Sequence, residues 1–277
     1  MEILHKISVT CFVASYLVAL LLELTRLVGP FRWRVPAVLT MMGLGLFTHV
    51  SFLFLRALNV PVDGGRGLLS SWAEWSLLLA LGLAICFVIA YIRRPDTIIS
   101  YFFLPLILLT IGLGIWVGGW EPFSRTEAAD LWRSVHGLSM MVGTGAVLIG
   151  FLAGVMYLVQ SRRLKRKRAG SATFRLPTLE TLDRANRRSL VISTAAVAIG
   201  VVAGMIMNVN QTEEFDWLDS GILLSLVLFL WLVAATATEF FYTPASRGRK
   251  AFYMTLASLG FLLLALIGII FSSHGVS

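Results

Sequence analysis

Four histidines stand in this chain of 277 residues, His5, His49, His136 and His274, and three of them fall in or at the ends of apolar stretches. A neutral imidazole offers a nitrogen lone pair to a metal, and two imidazoles from different helices can hold a haem iron on both sides. Zinc is a poorer match. It wants three or four His, Cys or carboxylate ligands, and neither His136 nor His274 has a second ligand type three or four residues away. The plain alternative for His136 and His274 is an interfacial side chain bonded to water or a lipid headgroup. His5, at the start of the chain, reads as a surface residue. Cys11 and Cys86 lie singly in apolar runs with no Cys-x-x-Cys spacing, which excludes thiol–disulfide chemistry.

The elements that position these residues follow from composition. The chain is 57% hydrophobic with a mean hydropathy of +0.83, and only 14% of its residues are charged, against roughly 25% in soluble domains. Eight runs of mostly apolar residues appear, at 5–26, 36–56, 72–92, 98–118, 136–160, 188–208, 220–242 and 251–273. Each is near the length of about 20 residues that crosses a hydrocarbon core as a helix. The expected fold is all-α, a polytopic membrane helix bundle of eight spans forming one membrane domain over 1–277. The first run has no convincing small-residue cleavage site and reads as a retained helix.

Charge sets the orientation. Eighteen of the 23 Lys and Arg lie on alternate loops: Arg26, Arg32 and Arg34; Arg93 and Arg94; ten over 162–188; and Arg247, Arg249 and Lys250. The remaining loops hold most of the acidic residues. Because cytoplasmic loops retain Lys and Arg, both termini are expected outside, with His136 and His274 together near the outer face. The net charge of +8 then reflects topology and attraction to anionic lipid at the inner face, and nucleic-acid binding is not implied. The basic loop 161–187 opens with SRRLKRKR and continues through Pro177, with Thr178 as a cap and Glu180 in a first turn, so a short amphipathic helix in the inner interface is expected there.

His49, in THVSF, lies about 10 Å below the outer end of the second run, where a buried imidazole must find a partner. Six of the eight Trp (Trp72, Trp75, Trp116, Trp120, Trp132 and Trp217) fall in or beside the outer loops, either as an aromatic belt or as flat surface for a macrocycle. Glu74, between Trp72 and Trp75, either orders that loop through hydrogen bonds or is a solvated helix-start carboxylate. Glu23 near Arg26 reads as an interfacial ion pair rather than a proton relay. Gly143, Gly145, Gly150 and Gly154 permit close helix contact. Pro105 is expected to kink the fourth helix, but no helix shows the paired breaks of a transporter's substrate site.

Four pieces, in order, carry a resemblance: LLSSWAEWSLLLA with Glu74; LWRSVHGLSMMVGTGAVLIGFLAGVMYLVQ with Trp132 and His136; LPTLETLDRANRRSLVISTAAVAIGVVAGMI; and RGRKAFYMTLASLGFLLLALIGIIFSSHG with His274. Together they resemble the CcsA and HemX-type cytochrome c assembly proteins, from about residue 36 onward. The resemblance implies non-covalent b-type haem held at the outer face for attachment to an apocytochrome c. On it, His136 and His274 are the outer axial ligands, His49 a ligand within the membrane, and Trp132, Trp217, Asp219 and Glu74 neighbours of the haem. A second membrane subunit of the CcsB or ResB type is the implied partner, in a bacterial plasma membrane. The chain positions a cofactor and donates no catalytic nucleophile.

Two departures bear on this. The family's tryptophan-rich loop is thinned here to NVNQTEEFDWLDSGILL, keeping Trp217 with Asp216 or Asp219. Glu239 stands where the family often has a His. Both resemble the HemX-like branch, which implies an alternative: an accessory or regulatory membrane protein of haem biosynthesis with weak or no haem binding.

Overall fold

The computed structural model describes residues 9–29, 32–58, 71–117, 131–166, 175–212 and 220–241, with short pieces at 253, 256–260 and 263. The described residues form seven helices: α1 (Val9–Leu24, continued by a 3-10 turn Thr25–Leu27), α2 (Arg34–Leu58), α3 (Trp72–Arg93), α4 (Ser100–Val117), α5 (Leu131–Lys165), α6 (Leu179–Thr212) and α7 (Ser220–Phe241). They fall on the first seven of the eight apolar runs, and the described residues of the eighth are helical. Six are long and apolar enough to cross a membrane, while α4 is apolar but shorter. The all-helical, membrane-spanning architecture expected from composition is therefore what the chain adopts. Packing divides it into two units, Met1–Ala129 with Ala169–Pro177, and Asp130–Arg168 with Thr178–Ser277.

In the first unit α1 packs on α2 and α4, α2 on α3, and α3 on α4. Gly45 lets α1 and α2 approach closely: a Cβ there would meet Tyr16 Cε1 at 2.5 Å and Cδ1 at 2.8 Å. Ser71 caps α3, its hydroxyl accepting from the Glu74 N–H at 3.4 Å, with Glu74 in the third helical position as in a capping box. α3 stops at Arg94, whose N–H closes on Ala90 and Tyr91, because Pro95 follows and disfavours helical geometry before it. Pro105 lies inside α4 without ending it.

The end of α1 carries a buried polar centre. Glu23 is fully buried. Its Oε1 accepts the Tyr91 hydroxyl of α3 at 2.6 Å, and its Oε2 accepts the Ser100 hydroxyl of α4 at 2.7 Å. Arg34 of α2 lies 3.6 Å from Oε1 and Arg26 3.9 Å from Oε2. Arg26 also donates to the carbonyls of Pro95 at 2.7 Å and Asp96 at 3.0 Å, in the turn between α3 and α4. The expected two-residue interfacial pair is thus a buried centre joining four helices.

In the second unit the long α5 and α6 run against each other, and α6 also packs on α7. A Cβ at Gly143 would meet Val197 Cγ2 at 2.8 Å, so that glycine does bring the two helices close, as its spacing suggested. Val147, Val197, Val201, Leu228 and Leu232 form the core beneath. Thr194 and Thr236 join α6 to α7 through hydroxyls 2.8 Å apart, and Trp231 Nε1 donates to Ser258 at 3.1 Å. Residues 161–165 continue α5 and 179–187 are the first turns of α6, so among the described residues the basic stretch holds no separate short helix. Thr178 caps α6 as expected, accepting from the Thr181 N–H at 3.3 Å.

Two substitutions test these contacts by unfolding titration in detergent. Gly45→Ala should cost about 1–3 kcal/mol through overpacking on Tyr16, whereas Gly43→Ala, with nothing within 4 Å of its added Cβ, should be neutral or slightly stabilising. Glu23→Ala leaves two guanidinium groups without their buried carboxylate and should cost about 3–5 kcal/mol; a loss under about 1 kcal/mol would show that the centre is not a structural anchor.

Candidate functional site

His136 stands in the second turn of α5, four residues after Trp132 and four before Met140, so the three share one face of the helix. Trp132 is exposed, and His136 is partly buried against α6. The ring Nδ1 lies 2.7 Å from the carbonyl oxygen of Gly200. A carbonyl only accepts, so Nδ1 carries the proton and donates. In the neutral ring this leaves Nε2 with the lone pair, the form in which histidine binds metals.

His49 lies in the first unit, on α2, and is fully buried. Its ring stacks on Phe12 of α1, with centroids 4.1 Å apart and planes within 2°. The Tyr16 hydroxyl lies 3.3 Å from Nδ1. Tyr16 is the partner that burial in hydrocarbon demands, and it sits 33 residues away, where no local motif announces it. The backbone of Leu77 on α3 lies beside the ring, yet Nε2 makes no hydrogen bond of ordinary geometry.

Glu74 is buried and accepts from Arg56 Nε at 2.6 Å. Of the two readings of Glu74, the solvated carboxylate is set aside: the pair ties the end of α2 to the start of α3, with Trp72 and Trp75 half-buried on either side. Glu239 on α7 is buried as well. His274, Trp217 and Asp219 lie outside the described residues. The structure therefore sets His136 and Met140 against α6, with Trp132 exposed one turn before His136, and separately holds His49 with Tyr16 and Glu74 with Arg56.

Three residues were not singled out from sequence. Tyr16 carries no signal short of the fold. Gly200 and Gly204 carry one, the four-residue spacing of small residues that lets another helix approach closely: a Cβ at Gly204 would meet His136 Nδ1 at 2.9 Å.

Comparison with known proteins adds the last element. No curated protein and no solved structure matches the chain. Residues 69–277 match the family described as cytochrome C assembly protein. That stretch contains α3 to α7 with His136, Trp132 and Glu74, and it extends over His274, while His49 precedes it. With most of its length matched, this multi-pass membrane chain belongs to the cytochrome c assembly protein family, and its role is in cytochrome c biogenesis.

Proposed function

We propose that the chain binds non-covalent b-type haem near the outer membrane face and presents it for attachment to an apocytochrome c. The observation that carries this reading is the hydrogen bond from His136 Nδ1 to Gly200, which leaves Nε2 as the free acceptor beside an exposed Trp132. A donor bond from the second nitrogen to a backbone carbonyl is the usual way a metal-ligating imidazole is oriented. His136 fits an axial ligand on that ground, and Trp132, one turn before it, offers apolar surface on the same face.

His274, near the end of the eighth apolar run, is proposed as the second outer ligand, on the family resemblance and the charge-based topology. His49 fits less well. Its Nε2 is buried without a hydrogen bond of ordinary geometry, but the ring is sealed from solvent and stacked on Phe12, so a macrocycle reaches it only if the helices part. What haem supplies when bound is iron and the periphery to which apocytochrome thiols attach; reductant and thiols come from other proteins. The chain's own residues orient the nitrogen, cover the face beside it and hold the outer ends of α2 and α3 together through Arg56 and Glu74. A membrane subunit of the CcsB or ResB type is the proposed partner, in a bacterial plasma membrane with both termini outside and the basic stretch 162–188 against anionic lipid.

A second reading rests on Glu239, buried on α7 where the resemblance places a His. It makes the chain a HemX-like accessory protein of haem biosynthesis with weak haem binding or none.

The visible spectrum of the protein purified in mild detergent, with and without dithionite, separates the two. Wild type should show a reduced low-spin haem spectrum that collapses in His136→Ala or His274→Ala. Haem-free wild type from cells with ample haem would sink the presenting role in favour of the second reading. Loss in His49→Ala alone would move the haem into the membrane and overturn the outer assignment.

A further inference from the structure

α6 carries Gly200 and Gly204, one helical turn apart, and α5 sets Met140 and His136, also one turn apart, against them. A Cβ on Gly200 would meet Met140 Cγ and Sδ at 3.1 Å; one on Gly204 would meet His136 Nδ1 at 2.9 Å and Cε1 at 3.1 Å. Small residues at this spacing in a membrane helix ordinarily serve close packing of aliphatic neighbours, as Gly143 does where it meets Val197. At Gly204 the neighbour is the nitrogen-bearing edge of an imidazole. That edge lies over the bare Cα of Gly204, and from there Nδ1 reaches the Gly200 carbonyl at 2.7 Å, using a lone pair the helix leaves available.

We infer that Gly200 and Gly204 are positioning residues for the ligand nitrogen of His136. The Gly200 carbonyl sets which nitrogen carries the proton, and the missing side chain at Gly204 sets the rotation of the ring. That combination leaves the lone pair on Nε2 and keeps Nδ1 engaged with α6. Any side chain at position 204 pushes the imidazole off the carbonyl, and the ring reverts to the Nε2–H form that free histidine prefers in water, with its lone pair turned toward the helix. The inference rests on the haem-presenting role for its purpose, but not for its geometry.

The test uses the full-length protein, haem-free and labelled with 15N-histidine, in detergent. Long-range 1H–15N correlation reads the tautomer of His136, assigned by its loss in His136→Gln. Wild type should carry the proton on Nδ1. Gly204→Ala should shift it toward Nε2 and weaken binding of added haem at least about tenfold, the scale of outer-shell changes at metal sites. Gly82→Ala on α3, whose added Cβ meets nothing within 4 Å, should leave both unchanged. A wild-type ring protonated on Nε2 overturns the inference, and so does a Gly204→Ala protein with wild-type tautomer and haem affinity. Wild type that never takes up haem overturns the presenting role instead, while the tautomer still decides whether α6 orients the ring.

Discussion

Water is excluded from the packed interior of membrane helices, so every polar side chain there must be answered by another, at a cost of several kcal/mol where it is not. That constraint organises both units. Glu23 gathers Tyr91, Ser100, Arg26 and Arg34 and so binds α1 to three other helices. His49 takes Tyr16, Thr194 takes Thr236, and His136 takes a backbone carbonyl. In the first three the bond is spent on holding helices together. In the last it also leaves one nitrogen with an unshared pair, which is why a packing interaction there has chemical meaning.

Hydropathy recovered the helices because length and apolar content are what a membrane span requires, but it misjudged their ends. The fifth run reads as 136–160 and the helix is Leu131–Lys165; the sixth reads as 188–208 and the helix is Leu179–Thr212. A helix does not stop where its residues become polar, since its backbone bonds close equally well in water. The cap at Thr178 was legible because capping chemistry is local. The partners of buried groups were not: Tyr91 is 68 residues from Glu23 and Gly200 is 64 from His136, and only the fold brings them together. Glu74 stayed open between a hydrogen-bonded and a solvated carboxylate for the same reason, because Arg56 reaches it from another helix.

The family match divides the histidines in a useful way. His136 and His274 lie within residues 69–277, while His49 and Glu23 lie on α1 and α2, ahead of them. For His136, one of the two proposed ligands, the bond to the Gly200 carbonyl adds geometry to that position. His49 stands on its own surroundings alone, and those surroundings resemble a buried aromatic contact more than an open socket.

The Glu23 centre also imposes an order on biosynthesis. Chain leaves the ribosome from its N-terminus, so Glu23 enters the membrane with α1 when Tyr91 and Ser100 have not yet been made. Its early companions are Arg26 and Arg34, close in sequence and present almost at once. The carboxylate can travel with those cations until α3 and the start of α4 arrive to enclose it. Until then, Arg26 and Arg34 are the members of this centre that the first two helices themselves supply.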